Sequence, residues 1–134
     1  AEAFLEHVAA SDEKKIIAMS SNGGSITNMG RRGGGMAPAY RASKAGLNMA
    51  MRAMGEAVKD RGVIVAVFAP GTIDTEDYMN AEAPATIPPQ YQRMIQVGAL
   101  DPRHAIGDMI DLFDGLTLTD IDEYHQWDGL MLPW

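Results

Sequence analysis

Tyr40 and Lys44 stand four residues apart in the run Ala39-Tyr40-Arg41-Ala42-Ser43-Lys44-Ala45-Gly46-Leu47-Asn48, and a serine pair, Ser20-Ser21, lies upstream. On a helix, residues i and i+4 share a face, so the phenol and the ammonium would project into the same space. A free tyrosine has a pKa of about 10 and is a poor acid–base group at neutral pH. A fixed cation nearby favours the phenolate and moves that pKa toward the working range. A serine hydroxyl would hold the oxygen of a reacting carbonyl. The trio suits proton transfer during hydride chemistry. By itself a Tyr/Lys pair at this spacing is usually surface decoration. Its weight comes from the elements that must position it.

Those elements are readable. Residues Ala1 to Ala10 have Phe4, Leu5 and Val8 on one helical stripe. Ile16-Ile17-Ala18-Met19 is a short apolar run, as expected of a strand buried on both faces of a parallel sheet. Ser20 to Pro38 is glycine-rich and reads as a long loop. Good helix formers then predict a helix from about Pro38 to Lys59, closed by Asp60-Arg61-Gly62 with Gly62 as its cap. Val63 to Ala69 is β-branched and apolar, punctuated by Pro70-Gly71, and is the clearest strand. Strand, helix, strand is a βαβ unit, which makes the two strands parallel.

Further on, Pro89 to Val97 predicts a short helix. Asp101-Pro102 predicts an N-cap and first-turn proline, opening a helix to about Leu116 with Ile106, Met109, Ile110 and Phe113 inward. A last strand falls near Glu123 to Trp127, before a turn at Asp128-Gly129. The fold class is α/β, a partial doubly wound parallel sheet. In such sheets ligands bind beyond the carboxyl ends of the strands. Ser20-Ser21, Tyr40 and Pro70-Gly71 all fall on that edge.

Whole-chain properties narrow the function. The length of 134 residues fits one domain, and 46% hydrophobic residues are enough for a core. A formal net charge of −7 argues against a nucleic-acid partner. There is no cysteine, which suits a reducing, cytoplasmic compartment and excludes thiolate sites. No apolar stretch approaches the roughly 18 residues of a membrane span. Gly30 and Gly35 have the spacing of a phosphate loop, but Met36 stands where its lysine should be. His7, His104 and His125 lack metal-ligand spacing, and Asp108, Asp111 and Asp114 read as a solvated helix face.

The ordered set of Ile16 to Ile26 with its Ser20-Ser21 pair, Tyr40 to Asn48, Val63 to Thr75, and the ending Asp128-Gly129 with Leu132-Pro133-Trp134 resembles the short-chain dehydrogenases/reductases, in particular their carbonyl-reductase-like branch. The resemblance implies an NAD(P)-dependent oxidoreductase acting on a small carbonyl or alcohol, with NADP slightly favoured over NAD. It implies that Tyr40 is the acid–base group, that Lys44 lowers the Tyr40 pKa and bonds the nicotinamide ribose, and that Ser21 orients the substrate oxygen. Pro70, Gly71 and Ile73 would line the nicotinamide, and Thr75 would lie near the carboxamide or phosphates. Ser21 is chosen over Ser20 and Ser25 as the second serine of the pair. The loop to Tyr40 exceeds the family's usual length by about Arg31 to Gly35, which leaves that choice open. Ser25 reads better as a turn hydroxyl.

The family's phosphate-binding glycine turn, its NAD/NADP-selecting residue and its catalytic asparagine would all lie upstream of Ala1. The resemblance therefore covers the carboxyl-terminal half of one domain, expected to be marginal and inactive without an amino-terminal half or a second copy. An inactive assembly module, using Ala45 to Val58 as an interface, is the alternative expectation.

Overall fold

The computed structural model describes residues 2–30, 37–80, 87–96 and 98–134. Helix α1 spans Leu5–Ala10 and strand β1 Lys15–Met19. Helix α2 spans Pro38–Val58, strand β2 Ile64–Ala69, helix α3 Pro89–Gln96, helix α4 Pro102–Gly115 and strand β3 Tyr124–Gln126. Among the described residues the three strands form one sheet in the order β1-β2-β3. Both pairings are parallel, with Lys15 opposite Ile64 and Met19 opposite Phe68, and Val67 opposite Tyr124 and Ala69 opposite Gln126.

β2 lies at the centre and is buried along its whole length. Its side chains alternate between the sheet faces, as a pleated strand requires. Val63, Val65, Val67 and Ala69 join Met51, Val58 and Tyr124 in one core cluster, against which Leu5, Val8 and Leu47 pack. Ile64, Ala66 and Phe68 join Met109 and Leu116 in a second cluster, with Leu112 and Phe113 packed on it. Helices on both faces make this an α/β sheet, as the sequence predicts.

α2 begins with Pro38 in its first turn and runs into a 3-10 turn, Lys59–Arg61. Gly62 then adopts φ +70, the left-handed conformation that a helix end asks of a glycine. α4 is capped by Asp101, whose carboxylate accepts from the Arg103 amide. Hydrogen bonds from Arg103 hold the Asp101 pKa down to about 2.

Two expectations need correction. Ile16 to Ala18 are half-buried and Met19 is exposed, rather than buried on both faces, because among the described residues β1 is an edge strand of the sheet. In α4 Met109 is buried and Phe113 packs on the core as expected, but Ala105 takes the other buried position, while Ile106 and Ile110 are 49% and 50% exposed. No helix among the described residues is long and apolar enough to cross a membrane.

Candidate active site

At the carboxyl end of β1 the chain leaves the sheet as Ser20 and Ser21, then makes a 3-10 turn over Asn22–Gly24. The Ser20 amide donates to the Phe68 carbonyl at 2.6 Å, which carries the β1–β2 ladder one residue further. Ser21 is extended and caps the turn, its Oγ accepting from the Gly23 amide at 3.1 Å. The same turn packs tightly on α2. A Cβ at Gly24 would lie 2.9 Å from the Lys44 carbonyl carbon and from Asn48 Nδ2, closer than real side chains come.

That contact brings one stripe of α2, Tyr40, Lys44 and Asn48, against the end of β1. Tyr40 is 50% exposed at the mouth. Lys44 Nζ sits 5.9 Å from the Tyr40 ring centroid and donates to the Met19 carbonyl at 3.1 Å. Asn48 is buried, and its Oδ1 accepts from Ser20 Oγ at 2.5 Å. A Cβ built on Gly23 would be 3.4 Å from both Ser21 Oγ and Tyr40 Cε1, so the two hydroxyl-bearing residues flank one small residue.

Ser21, Tyr40, Gly71, Thr72 and Leu132 line a cleft of about 510 Å³. That volume is ordinary for a small-molecule or cofactor site. The other two serines are occupied elsewhere. Ser20 is committed to Asn48, and the buried Ser25 Oγ donates to the Pro133 carbonyl at 2.5 Å while accepting from the Asn28 amide at 3.1 Å. Ser25 is thus a turn hydroxyl, as its sequence context predicts.

Beyond β2 the chain turns at Pro70-Gly71. Gly71 has φ +79, and a Cβ there would meet the Trp127 ring at 3.0 Å and Leu100 at 3.1 Å. Space and backbone both demand glycine, so backbone forms this part of the cleft wall. Of the residues expected to line a nicotinamide, Gly71 borders the cleft. Pro70 is the half-buried residue before it, Ile73 is held in a parallel bridge to Leu100, and Thr75 is exposed. Thr72 lies in the wall, a position the sequence reasoning passed over. The loop residues Arg31 to Gly35, and with them Gly35 of the phosphate-loop spacing, lie outside the described residues.

A short-chain dehydrogenase family model matches residues 1–86. The chain belongs to the short-chain dehydrogenase family. An uncharacterized oxidoreductase of Schizosaccharomyces pombe is 30% identical over 105 residues, covering 75% of this chain and 41% of the relative. The NADPH-bound carbonyl reductase from chicken fatty liver superposes with TM-score 0.75 at 26% identity, covering 99% of this chain and 50% of that one. The carbonyl reductase Sniffer of Drosophila melanogaster gives TM-score 0.71 at 26% identity, covering 99% and 49%. These likenesses make this short-chain dehydrogenase carbonyl-reductase-like. The chain spans about half the length of these relatives.

Around the site of this short-chain dehydrogenase, sequence reasoning missed Asn48 and Tyr124. Asn48 carried a signal: it is polar and lies one turn beyond Lys44 on the same stripe. Tyr124 carried none, because its hydroxyl meets the Ser21 carbonyl across 103 residues of sequence.

Proposed function

We propose that this chain supplies the catalytic, nicotinamide-facing side of an NAD(P)-dependent reductase of small carbonyl compounds, running as an alcohol dehydrogenase in reverse. One observation carries the reading: Ser21 Oγ and the Tyr40 ring flank Gly23 at one cleft, with the Lys44 ammonium one turn below. The residues fit a nicotinamide, since the Gly71 turn offers backbone and Thr72 offers a hydroxyl to a cleft of about 510 Å³. A bound nicotinamide supplies hydride, two electrons with a proton, to the carbonyl carbon. The chain's own residues then handle the oxygen. The Ser21 hydroxyl donates a hydrogen bond to it and fixes its position. Tyr40 gives its phenolic proton to that oxygen as negative charge develops there, which completes the alcohol. Lys44 stabilises the negative charge left on the Tyr40 oxygen. In the alcohol-oxidising direction Tyr40 takes the same proton back.

NADPH is the cofactor expected first, because the chicken carbonyl reductase was solved with it bound. The chain is read as the carboxyl-terminal portion of a single dinucleotide-binding domain, completed by an amino-terminal half or by a second copy. A chain without cysteine fits a cytoplasmic home, with neither nucleic acid nor membrane as partner. The test is NADPH oxidation by the full-length protein with a panel of aldehydes and ketones. Tyr40→Phe is expected to lower the rate by about 10²- to 10⁴-fold with cofactor affinity kept. A Tyr40→Phe protein working at the wild-type rate would refute the assignment.

A further inference from the structure

Behind the cleft lies a second set of polar side chains, all buried. Tyr124 is fully buried on β3, and its hydroxyl donates to the Ser21 carbonyl. That carbonyl also accepts from the Gly24 amide at 2.7 Å. Ser20 Oγ donates to Asn48 Oδ1 at the same strand end, one residue before Ser21. The Tyr124 ring is stacked on Trp134 at 5.2 Å between centroids, which fixes where its oxygen can point. Burial raises the Tyr124 pKa, so the phenol stays protonated and remains a donor. The Ser21 carbonyl is thereby held by Tyr124 of β3 and by its own turn, while its neighbour Ser20 is tied to α2 through Asn48.

We propose that Tyr124 is a positioning residue: its hydroxyl, backed by the Ser20–Asn48 pair, fixes the Ser21 turn so that the Ser21 hydroxyl and Tyr40 meet one substrate oxygen. This rests on the reading of the site given above. Tyr124 touches neither substrate nor cofactor and acts through the Ser21 main chain. Misplacement of a reacting group by about 1 Å can cost about 10²-fold in rate, so a hydroxyl that holds a turn matters to turnover.

The test is Tyr124→Phe in the full-length protein, which keeps the ring and its stack on Trp134 and removes one oxygen. Turnover (kcat) is expected to fall about tenfold with KM for NADPH unchanged, the size of one lost buried hydrogen bond. Amide exchange at Gly23 and Gly24, whose N–H groups bond Ser21 Oγ and the Ser21 carbonyl, is expected to quicken about tenfold. Ser20→Ala, a milder change, is expected to move both readouts the same way by about threefold. Wild-type kcat in Tyr124→Phe overturns the proposal. So does a kcat loss that only tracks the folded fraction while exchange at Gly23 and Gly24 stays unchanged. Tyr40→Phe measured alongside separates the two claims. An active Tyr40→Phe sinks the reading of the site, whereas an inactive one beside a fully active Tyr124→Phe sinks only the positioning role.

Discussion

Tyr124 and His125 are neighbours on β3 and point to opposite faces of the sheet. On the α2 face, Tyr124 is buried with its hydroxyl bonded to the Ser21 carbonyl, next to Ser20 and Asn48. On the α4 face, His125 is buried, stacked on Phe68 at 4.7 Å, and its Nε2 has no hydrogen-bond partner. Phe68 meets Phe113 edge-on at 4.7 Å in the same layer. One face therefore gathers its polar groups at the carboxyl edge of the sheet, and the other is an apolar layer around one imidazole whose Nε2 lies 3.7 Å from Glu123. Each face carries a buried polar atom without a hydrogen-bond partner, Asn48 Nδ2 and His125 Nε2, and such an atom has a cost. Function is expected to follow the first face and stability the second.

The largest effect that would break this contrast comes from Phe68→Ala. It removes the side chain at the centre of the α4 layer and is expected to cost about 3–5 kcal/mol of unfolding free energy. Specific activity per folded molecule should stay near wild type. A denaturant titration combined with an active-fraction assay checks both. Loss of turnover without loss of stability would put the chemistry on the wrong face.

Gly24→Ala should show the opposite pattern. Its new methyl would press on the Lys44 main chain and Asn48, so α2 must shift against the Ser21 turn. Overpacking of this kind costs about 1–3 kcal/mol. Turnover is expected to fall further than stability, by about 10- to 100-fold, because Tyr40 moves relative to Ser21. Steady-state kinetics at a temperature where the variant is fully folded would measure it.

The smallest effect concerns pH. Burial lowers the His125 pKa below its ordinary value, against the opposing pull of Glu123 and Asp120. The folded state therefore favours neutral imidazole, while the unfolded chain takes up its proton near pH 6.5. The His125 contribution is complete above about pH 6.5 and is lost as pH falls from there toward the depressed folded value. His125→Phe should flatten that part of the stability–pH curve. An unchanged slope between wild type and variant would show that the imidazole is not held neutral.

Much of this arrangement is legible in the sequence. α2 and β2 fall within a residue or two of where propensity and punctuation predict them, since a run of strong helix formers ends at Gly62 and a β-branched run ends at Pro70-Gly71. The shared face of Tyr40 and Lys44 follows from helical spacing, and the placement of Ser21 beside them follows from parallel strands ending on one edge. The orientation of α4 is legible at Met109 and Phe113, which pack on the sheet, and not at its other apolar positions. Ile106 and Ile110 are apolar at helical spacing, yet the buried stripe runs through Ala105, whose small side chain gives little signal. The half-exposure of β1 was hidden too, because an apolar run cannot say whether its strand has one neighbour or two. Tyr124 could not be assigned from sequence, because its role depends on a contact set by the whole fold.

Central to the account is that Ser21 and Tyr40 act on one oxygen as a unit. The direct measurement is a double-mutant cycle on single-turnover hydride transfer, comparing Ser21→Ala, Tyr40→Phe and the combined variant in full-length protein. Residues that work as a unit lose little more together than the worse single change loses alone. The account predicts a double variant within about threefold of Tyr40→Phe. Losses that multiply in full would show that the two hydroxyls act independently, and would contradict it.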